Sequence, residues 1–311
     1  MMLARVADSL FWIGRYVERA EHVARLADVM LTATLDRTET ANQVARIALS
    51  AVGETNEDQV ASPFDAARGL TLDRLNDGSV ITSLSRAREN ARQVRDQITS
   101  ETWERLNLVH LRLTGAQATK AFGDGSSAFL HEIIADLHLF KGAADATMSH
   151  GEGWRFLLLG VHLERAQLIG RLLEVCFGRT GERLDHAALT AVLRMSCALE
   201  PYLRVYTADV RAASILEFLL LNAEFPRSIR FSTDQIEAHL SRLSRQTDAE
   251  HVGPERLAGR LKARLQYADM SEIEREGSHT FLEAVLAECG AIHRGVYEAF
   301  VAYPLEMRLP A

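Results

Sequence analysis

Two stretches of this 311-residue chain carry the same charged phrase: G-R-Y-V-E-R-A-E-H-V-A-R-L-A-D-V at 14–29 and G-V-H-L-E-R-A-Q-L-I-G-R-L-L-E-V at 160–175. On a helix, Glu18 and Arg25 stand two turns apart on one face, and so do Glu164 and Arg171. Carboxylates and guanidiniums so placed can pair, within a copy or across copies. They can also hold a ligand, because guanidinium binds carboxylate or phosphate as a fork. In the second copy Glu164 and Arg171 share a stripe with Leu157, Val161 and Leu168, and charge on an apolar stripe is costly unless paired. The expectation is a largely buried Glu and Arg network joining the copies. Arg15, Glu18, Arg25, Glu164 and Arg171 are also its candidate contacts to a substrate or anion. Glu21 and Arg25, one turn apart, read as a solvated pair worth a few tenths of a kcal/mol.

A second cationic run, R-A-R-E-N-A-R-Q-V-R at 86–95, puts Arg88, Arg92 and Arg95 on one helical face with Glu89 and Asn90 beside it. Arg227, Ser228 and Arg230 occupy the equivalent place later in the chain. An anion site fits this pattern, although a solvated basic face is the commoner cause. Other chemistries lack their residues. His131 and His138 could share a face, but no Glu-x-x-His pair accompanies them, so no metal is expected. H-E-x-x-H, the phosphate-cradling G-x-x-x-x-G-K-[ST] and the G-x-S-x-G nucleophile turn are absent from the sequence. G-D-G-S-S-A at 123–128 follows a helical pattern where a dinucleotide fingerprint needs a strand, and it reads as a loop.

The elements that must position these residues are helices. Leu3, Val6, Leu10, Ile13, Val17, Ala20, Ala24, Ala27 and Leu31 recur at spacings of three and four, so one long helix runs from about residue 3 to the mid-thirties. Its small Ala20, Ala24 and Ala27 allow close approach of a neighbour. Further helices are expected over about 79–97, 101–119, 128–149, 152–177 and 276–300, and one over 186–222 kinked near Pro201. Ser232 and Gln235 read as a capping box, Pro254 as a first-turn proline, and 56–63 as a loop. Strand alternation is absent, so the fold class is all-α.

The repeated phrase shares seven identities in sixteen positions at an offset of 146, where chance gives about one. N-D-G-S-V at 76–80 and F-P-R-S-I at 225–229 echo one another at 149. The expected organisation is two related helical halves, 1–150 and 151–311, about a pseudo-two-fold axis in one body. A net charge of −7 and a pI near 5.9 exclude a general nucleic-acid binder. Cys176, Cys197 and Cys289 fit neither a zinc knuckle nor a redox pair and read as reduced thiols. Neither a signal peptide nor a membrane span is expected, which points to the cytoplasm.

The phrases M-L-A-R-V-A-D-S-L-F-W-I-G-R-Y-V-E-R-A-E, A-R-E-N-A-R, E-T-W-E-R-L-N, T-M-S-H-G-E-G-W-R-F-L-L-L-G-V-H-L-E-R-A and F-P-R-S-I together resemble the alpha-E domain family, a bacterial helical family without an assigned activity. The resemblance spans nearly the whole chain. It implies a helical fold and genes found beside a circularly permuted ATP-grasp protein and a transglutaminase-like protein, with some relatives fused to the former. Family motif residues carry over to Gly14, Arg15, Glu18, Arg19, Arg25, Glu89, Asn90, Arg92, Trp103, Glu152, Trp154, Gly160, Glu164, Arg165, Arg171, Arg227 and Ser228. Val161 stands where arginine is usual, which would weaken the second side of a symmetric anion site. The resemblance implies a setting of ATP-dependent amide or peptide bond formation, with ATP and Mg bound by the partner and no cofactor on this chain. The leading expectation is therefore an accessory partner of an ATP-grasp ligase that holds or presents its substrate. Its rivals are a stand-alone aminoacyl or peptidyl transferase built on the duplicated Glu and Arg cluster, and a purely structural scaffold. The transferase requires Glu18 or Glu164 to line an open cleft.

Overall fold

The computed structural model describes residues 2–35, 38–53, 62–178, 184–207, 209–246 and 253–302. Among them the chain forms fourteen helices and no strand: α1 (Ala4–Ala33), α2 (Thr38–Ala51), α3 (Pro63–Leu72), α4 (Val80–Gln93), α5 (Ser100–Thr114), α6 (Ala118–Thr147), α7 (Glu152–Phe177), α8 (His186–Met195), α9 (Leu199–Tyr206), α10 (Ala212–Leu221), α11 (Ile229–Gln246), α12 (Gly253–Tyr267), α13 (Met270–Glu276) and α14 (Ser278–Phe300). No helix among the described residues is long and apolar enough to cross a membrane.

Two helices organise the rest. α1 and α7 lie against one another, with α3, α4 and α6 on α1 and with α10, α11 and α14 on α7. The predicted seam of α1 is sealed: Leu10, Val17, Ala20, Ala24 and Ala27 have no exposed surface. Polar residues of α1 and α7 are buried as well, among them Arg15, Glu18, Glu21, His22, Arg155, His162, Glu164 and Arg165. Helices enclosed on most sides bury such groups, and a charge among them is costly unless paired.

Glycine sets how closely the two helices cross. A Cβ on Gly14 would stand 2.0 Å from the Leu157 carbonyl oxygen and 2.9 Å from the Val161 nitrogen. A Cβ on Gly160 would stand 2.0 Å from the Phe11 carbonyl oxygen and 3.1 Å from the Arg15 nitrogen. The helices thus touch backbone to backbone at both glycines, where any side chain would hold them apart.

The loops before α4 and α11 are built alike. Leu75 N–H donates to Asp73 Oδ1 and Glu224 N–H to Asn222 Oδ1, both at 2.9 Å. Ser79 Oγ donates to the Asp73 carbonyl at 2.6 Å, and Ser228 Oγ to the Asn222 carbonyl at 2.5 Å. Each serine then caps its helix, accepting from Thr82 N–H at 3.3 Å and from Phe231 N–H at 3.0 Å.

Several expectations need correction. G-D-G-S-S-A is inside α6, which departs from helical geometry only at Gly125 (φ −167°, ψ 69°). Its alanines and phenylalanines carry the helix through the glycines that suggested a loop. The span 186–222 is three helices, with Pro201 in the first turn of α9, where a missing N–H costs nothing. Ser232 is within α11 and bonds back to the Ser228 carbonyl, so Ser228 is the capping residue. Pro254 opens α12 as expected. The loop read over 56–63 falls mostly outside the described residues.

Candidate functional site: a buried ion-pair network

Where α1 meets α7, the two copies of the motif exchange partners. Arg19 of the first copy donates through Nε to Glu164 Oε1 of the second at 2.6 Å. Arg165 of the second donates through Nε to Glu18 Oε1 of the first at 2.7 Å and through Nη2 to Oε2 at 2.9 Å. Arg15 completes the Glu164 side, its Nε 2.5 Å from Oε2. Arg15 also donates to Gln167 at 2.5 Å and to His293 Nδ1 of α14 at 3.1 Å. Valine at 161 leaves Glu18 without the counterpart of Arg15. The Glu18 side is filled from other helices: Lys141 of α6 bonds Glu18, and Arg227, before α11, reaches Glu18 Oε1 at 3.4 Å.

Glu21 extends the network. Lys141 Nζ donates to its Oε2 at 2.5 Å, Arg227 Nη2 to Oε1, and Arg25 Nη2 to Oε1 at 3.1 Å. Three carboxylates, Glu18, Glu21 and Glu164, are therefore bonded to six cations, Arg15, Arg19, Arg25, Lys141, Arg165 and Arg227. Glu18 and Glu21 are fully buried and Glu164 is 3 % exposed. Burial opposes their ionisation, but the surrounding cations outweigh it. Arg165, Lys141 and Arg227 hold Glu18 well below the ordinary carboxylate range, Lys141 and Arg227 do so for Glu21, and Arg15 and Arg19 lower Glu164. Arg227, also buried, is kept protonated by Glu21 and Glu18.

The structure divides the predicted site residues. Arg15, Glu18, Arg25, Glu164 and Arg227 come together, whereas Arg171 is exposed on α7 and takes no part. Arg25 pairs with Glu21, not Glu18, and Glu21 is no solvated residue. Ser228 is a buried helix cap. Arg88, Glu89 and Arg92 lie apart on α4. There Arg88 bonds Asn107 at 2.7 Å and sits over the Trp103 ring, while exposed Arg92 is engaged by exposed Glu89 at 2.7 Å. Those guanidiniums are tied to partners and do not converge as an anion cradle would. Sequence reasoning missed Glu21, Lys141 and the direct part played by Arg165. Only the doubled Glu-Arg dipeptide signalled Arg165, since pairing across copies needs the second residue of each. Lys141 had no local signal. His131 and His138 each bond a different carboxylate of α1, Asp28 at 2.9 Å and Glu21 at 3.1 Å.

Buried histidines surround this region. Burial and Arg227 push the His22 pKa down to about 4, and burial and Arg165 push His162 well down. His239 and His293 are likewise lowered to about 4, by burial first. These imidazoles stay neutral in the fold but take up protons in the unfolded chain near pH 6.5. Acid therefore favours unfolding as pH falls from 6.5 toward 4. The network carboxylates add to the loss below their ordinary value of 4.5 and through their depressed folded values. Urea unfolding should give equal stability at about pH 8 and 7.5, and a clear loss by about pH 5. A flat profile across that range would contradict the buried neutral state of these histidines.

A family described as a predicted alpha-helical domain with a conserved ER motif matches residues 2–301. Glu18-Arg19 and Glu164-Arg165 are two of the six Glu-Arg dipeptides in the sequence. The chain is 26% identical to an uncharacterised protein of Mycobacterium bovis, over 97% of this chain and 37% of the relative. It is 25% identical, with the same shares covered, to an uncharacterised protein of Mycobacterium tuberculosis. The chain thus spans little more than a third of the curated relatives it matches. No solved structure matches it. With the family pattern covering residues 2–301, nearly the whole length, the chain belongs to the Alpha-E family.

Proposed function

We propose that the chain is an accessory helical subunit of a cytoplasmic ATP-grasp amide or peptide ligase, holding or presenting substrate while its partner binds ATP and Mg. The observation that carries this reading is the burial of Glu18 and Glu164. A stand-alone transferase working through them needs an open cleft, and neither carboxylate reaches one. The motif then serves as a joint, and chemistry falls to a partner. The length of the relatives supports the same view, because in them the matched region is joined to further chain. The circularly permuted ATP-grasp protein is the partner of choice, with a transglutaminase-like protein as a second.

The same reading takes the chain as two copies of one helical unit, 1–150 and 151–311, about a pseudo-two-fold axis. Three reciprocal features support it: Arg19 to Glu164 with Arg165 to Glu18, Gly14 against Leu157 with Gly160 against Phe11, and the paired loops before α4 and α11. A joint of this kind makes the subunit rigid, as a platform for a partner must be.

Co-expression with a circularly permuted ATP-grasp protein from the same genome, followed by size exclusion with light scattering and an ATP-turnover assay over candidate amino acids, tests the reading. The expected result is a stoichiometric complex with turnover that neither chain has alone. Two separate species, with turnover by the ATP-grasp protein unchanged by this chain, would overturn it.

A further inference from the structure

A row of aromatic and cationic side chains runs inward from the surface between α7 and α11, beside the ion-pair network but not part of it. His150, exposed ahead of α7, stacks on Trp154 with ring centroids 3.9 Å apart. Trp154 meets His239 of α11 edge-on at 5.5 Å, and His239 faces His162 at 6.1 Å. The Arg155 guanidinium lies 5.9 Å from the Trp154 ring centroid. His239, His162 and Arg155 are only 5 %, 7 % and 9 % exposed, while Arg242 is exposed at the mouth of the row.

Five nitrogens here are shielded and have no hydrogen-bond partner among the described residues: Nε1 of Trp154, Nε of Arg155, Nδ1 of His162, and both ring nitrogens of His239. Buried polar atoms are almost always partnered, so five together require an explanation. Indole and guanidinium nitrogens can only donate, and a neutral imidazole carries one donor and one acceptor. Donors therefore outnumber acceptors in the row. It also carries uncompensated positive charge. Burial and Arg242 lower the Arg155 pKa, and no ion pair ties Arg155 or Arg242 to a carboxylate among the described residues. Of the carboxylates nearby, Glu152 accepts from the Met2 backbone nitrogen at 2.8 Å, and Asp145 faces only His150, the exposed outer end of the row, at 3.7 Å.

We propose that this row binds a compact oxyanion, the phosphoryl group of a phosphate ester or the carboxylate of an acid, through Arg155, Arg242, His239 and Trp154. Such a group supplies several acceptor oxygens and the negative charge that two guanidiniums require. The site stands whether or not the ligase reading does, because its argument uses none of the network residues.

Inorganic phosphate and acetate are the probes, followed by calorimetry, thermal melting and the imidazole 15N signals of the full chain. One anion per chain should bind saturably, raise Tm and shift the His239 signals. Saturation by phosphate alone assigns a phosphoryl group, and by acetate alone a carboxylate. Arg242→Gln, at the exposed mouth, should fold normally and weaken binding by roughly tenfold or more. His239→Leu should abolish binding while the unliganded protein keeps or gains stability, since a buried unpartnered polar group is removed. Failure of both anions to bind, or binding unchanged in Arg242→Gln, would overturn the assignment.

Discussion

Gly160→Ala is expected to destabilise the protein by about 3 kcal/mol or more, seen as a fall in Tm of roughly 5 °C or more. In an open helix the same change stabilises by about 1 kcal/mol, because alanine is the better helix former. The sign reverses here because the new methyl would stand 2.0 Å from the Phe11 carbonyl oxygen, a backbone atom that cannot rotate away. Relief requires α1 and α7 to separate, which also stretches every bond from Arg15, Arg19 and Arg165 across the joint. Gly14→Ala should behave alike, since its methyl would meet the Leu157 carbonyl at the same 2.0 Å. Gly142, exposed in α6 with no neighbour within 4 Å of an added Cβ, supplies the control. Gly142→Ala should be neutral or stabilise by up to about 1 kcal/mol. Melting curves of the three variants decide the matter, and equal melting of Gly160→Ala and wild type would refute the backbone contact.

Glu18→Gln should cost about 3–5 kcal/mol, the scale for breaking a buried ion pair from one side. The amide is nearly isosteric, so packing is kept and the charge alone is lost. Arg165 then keeps the Pro226 carbonyl and at most one uncharged acceptor at position 18, while Lys141 and Arg227 are left with Glu21 as their one carboxylate. Arg165 and Arg227 are buried, so water cannot replace the missing charge. Arg92→Gln marks the contrast, because Arg92 and Glu89 are an exposed pair that water screens, and its loss should be small beside that of Glu18→Gln. Urea unfolding measures both, and equal losses would show that Glu18 is not buried among cations.

The long helices were legible in the sequence because their signal is periodic and local. The seam through Leu10, Val17 and Ala24 predicts α1, and the helix expected over 152–177 coincides with α7. Charge at Glu18 and Glu164, repeated at a fixed offset, disclosed the buried network. Which cation meets which carboxylate was not legible. Lys141 and Arg227 reach Glu18 from 123 and 209 residues away, and no local pattern encodes that approach. The Glu21 and Arg25 spacing suggested a solvated face, because helical periodicity cannot tell an outer helix from one enclosed on most sides. Arg171 misled for the same reason: Leu157, Val161, Glu164 and Leu168 of its stripe are buried, but Arg171 itself is exposed. The row from His150 to His162 has no sequence signature, since it depends on α11 lying beside α7.

The doubled Glu-Arg motif is a reciprocal joint in which each arginine is bonded to the glutamate of the other stretch. Double-mutant cycles pairing Glu18→Gln with Arg165→Gln and Glu164→Gln with Arg19→Gln, each read by urea unfolding, measure that bonding. Coupling of about 2 kcal/mol or more is expected in both cycles. Coupling within about 0.5 kcal/mol of zero in both would contradict it, since residues that do not interact are additive to that margin.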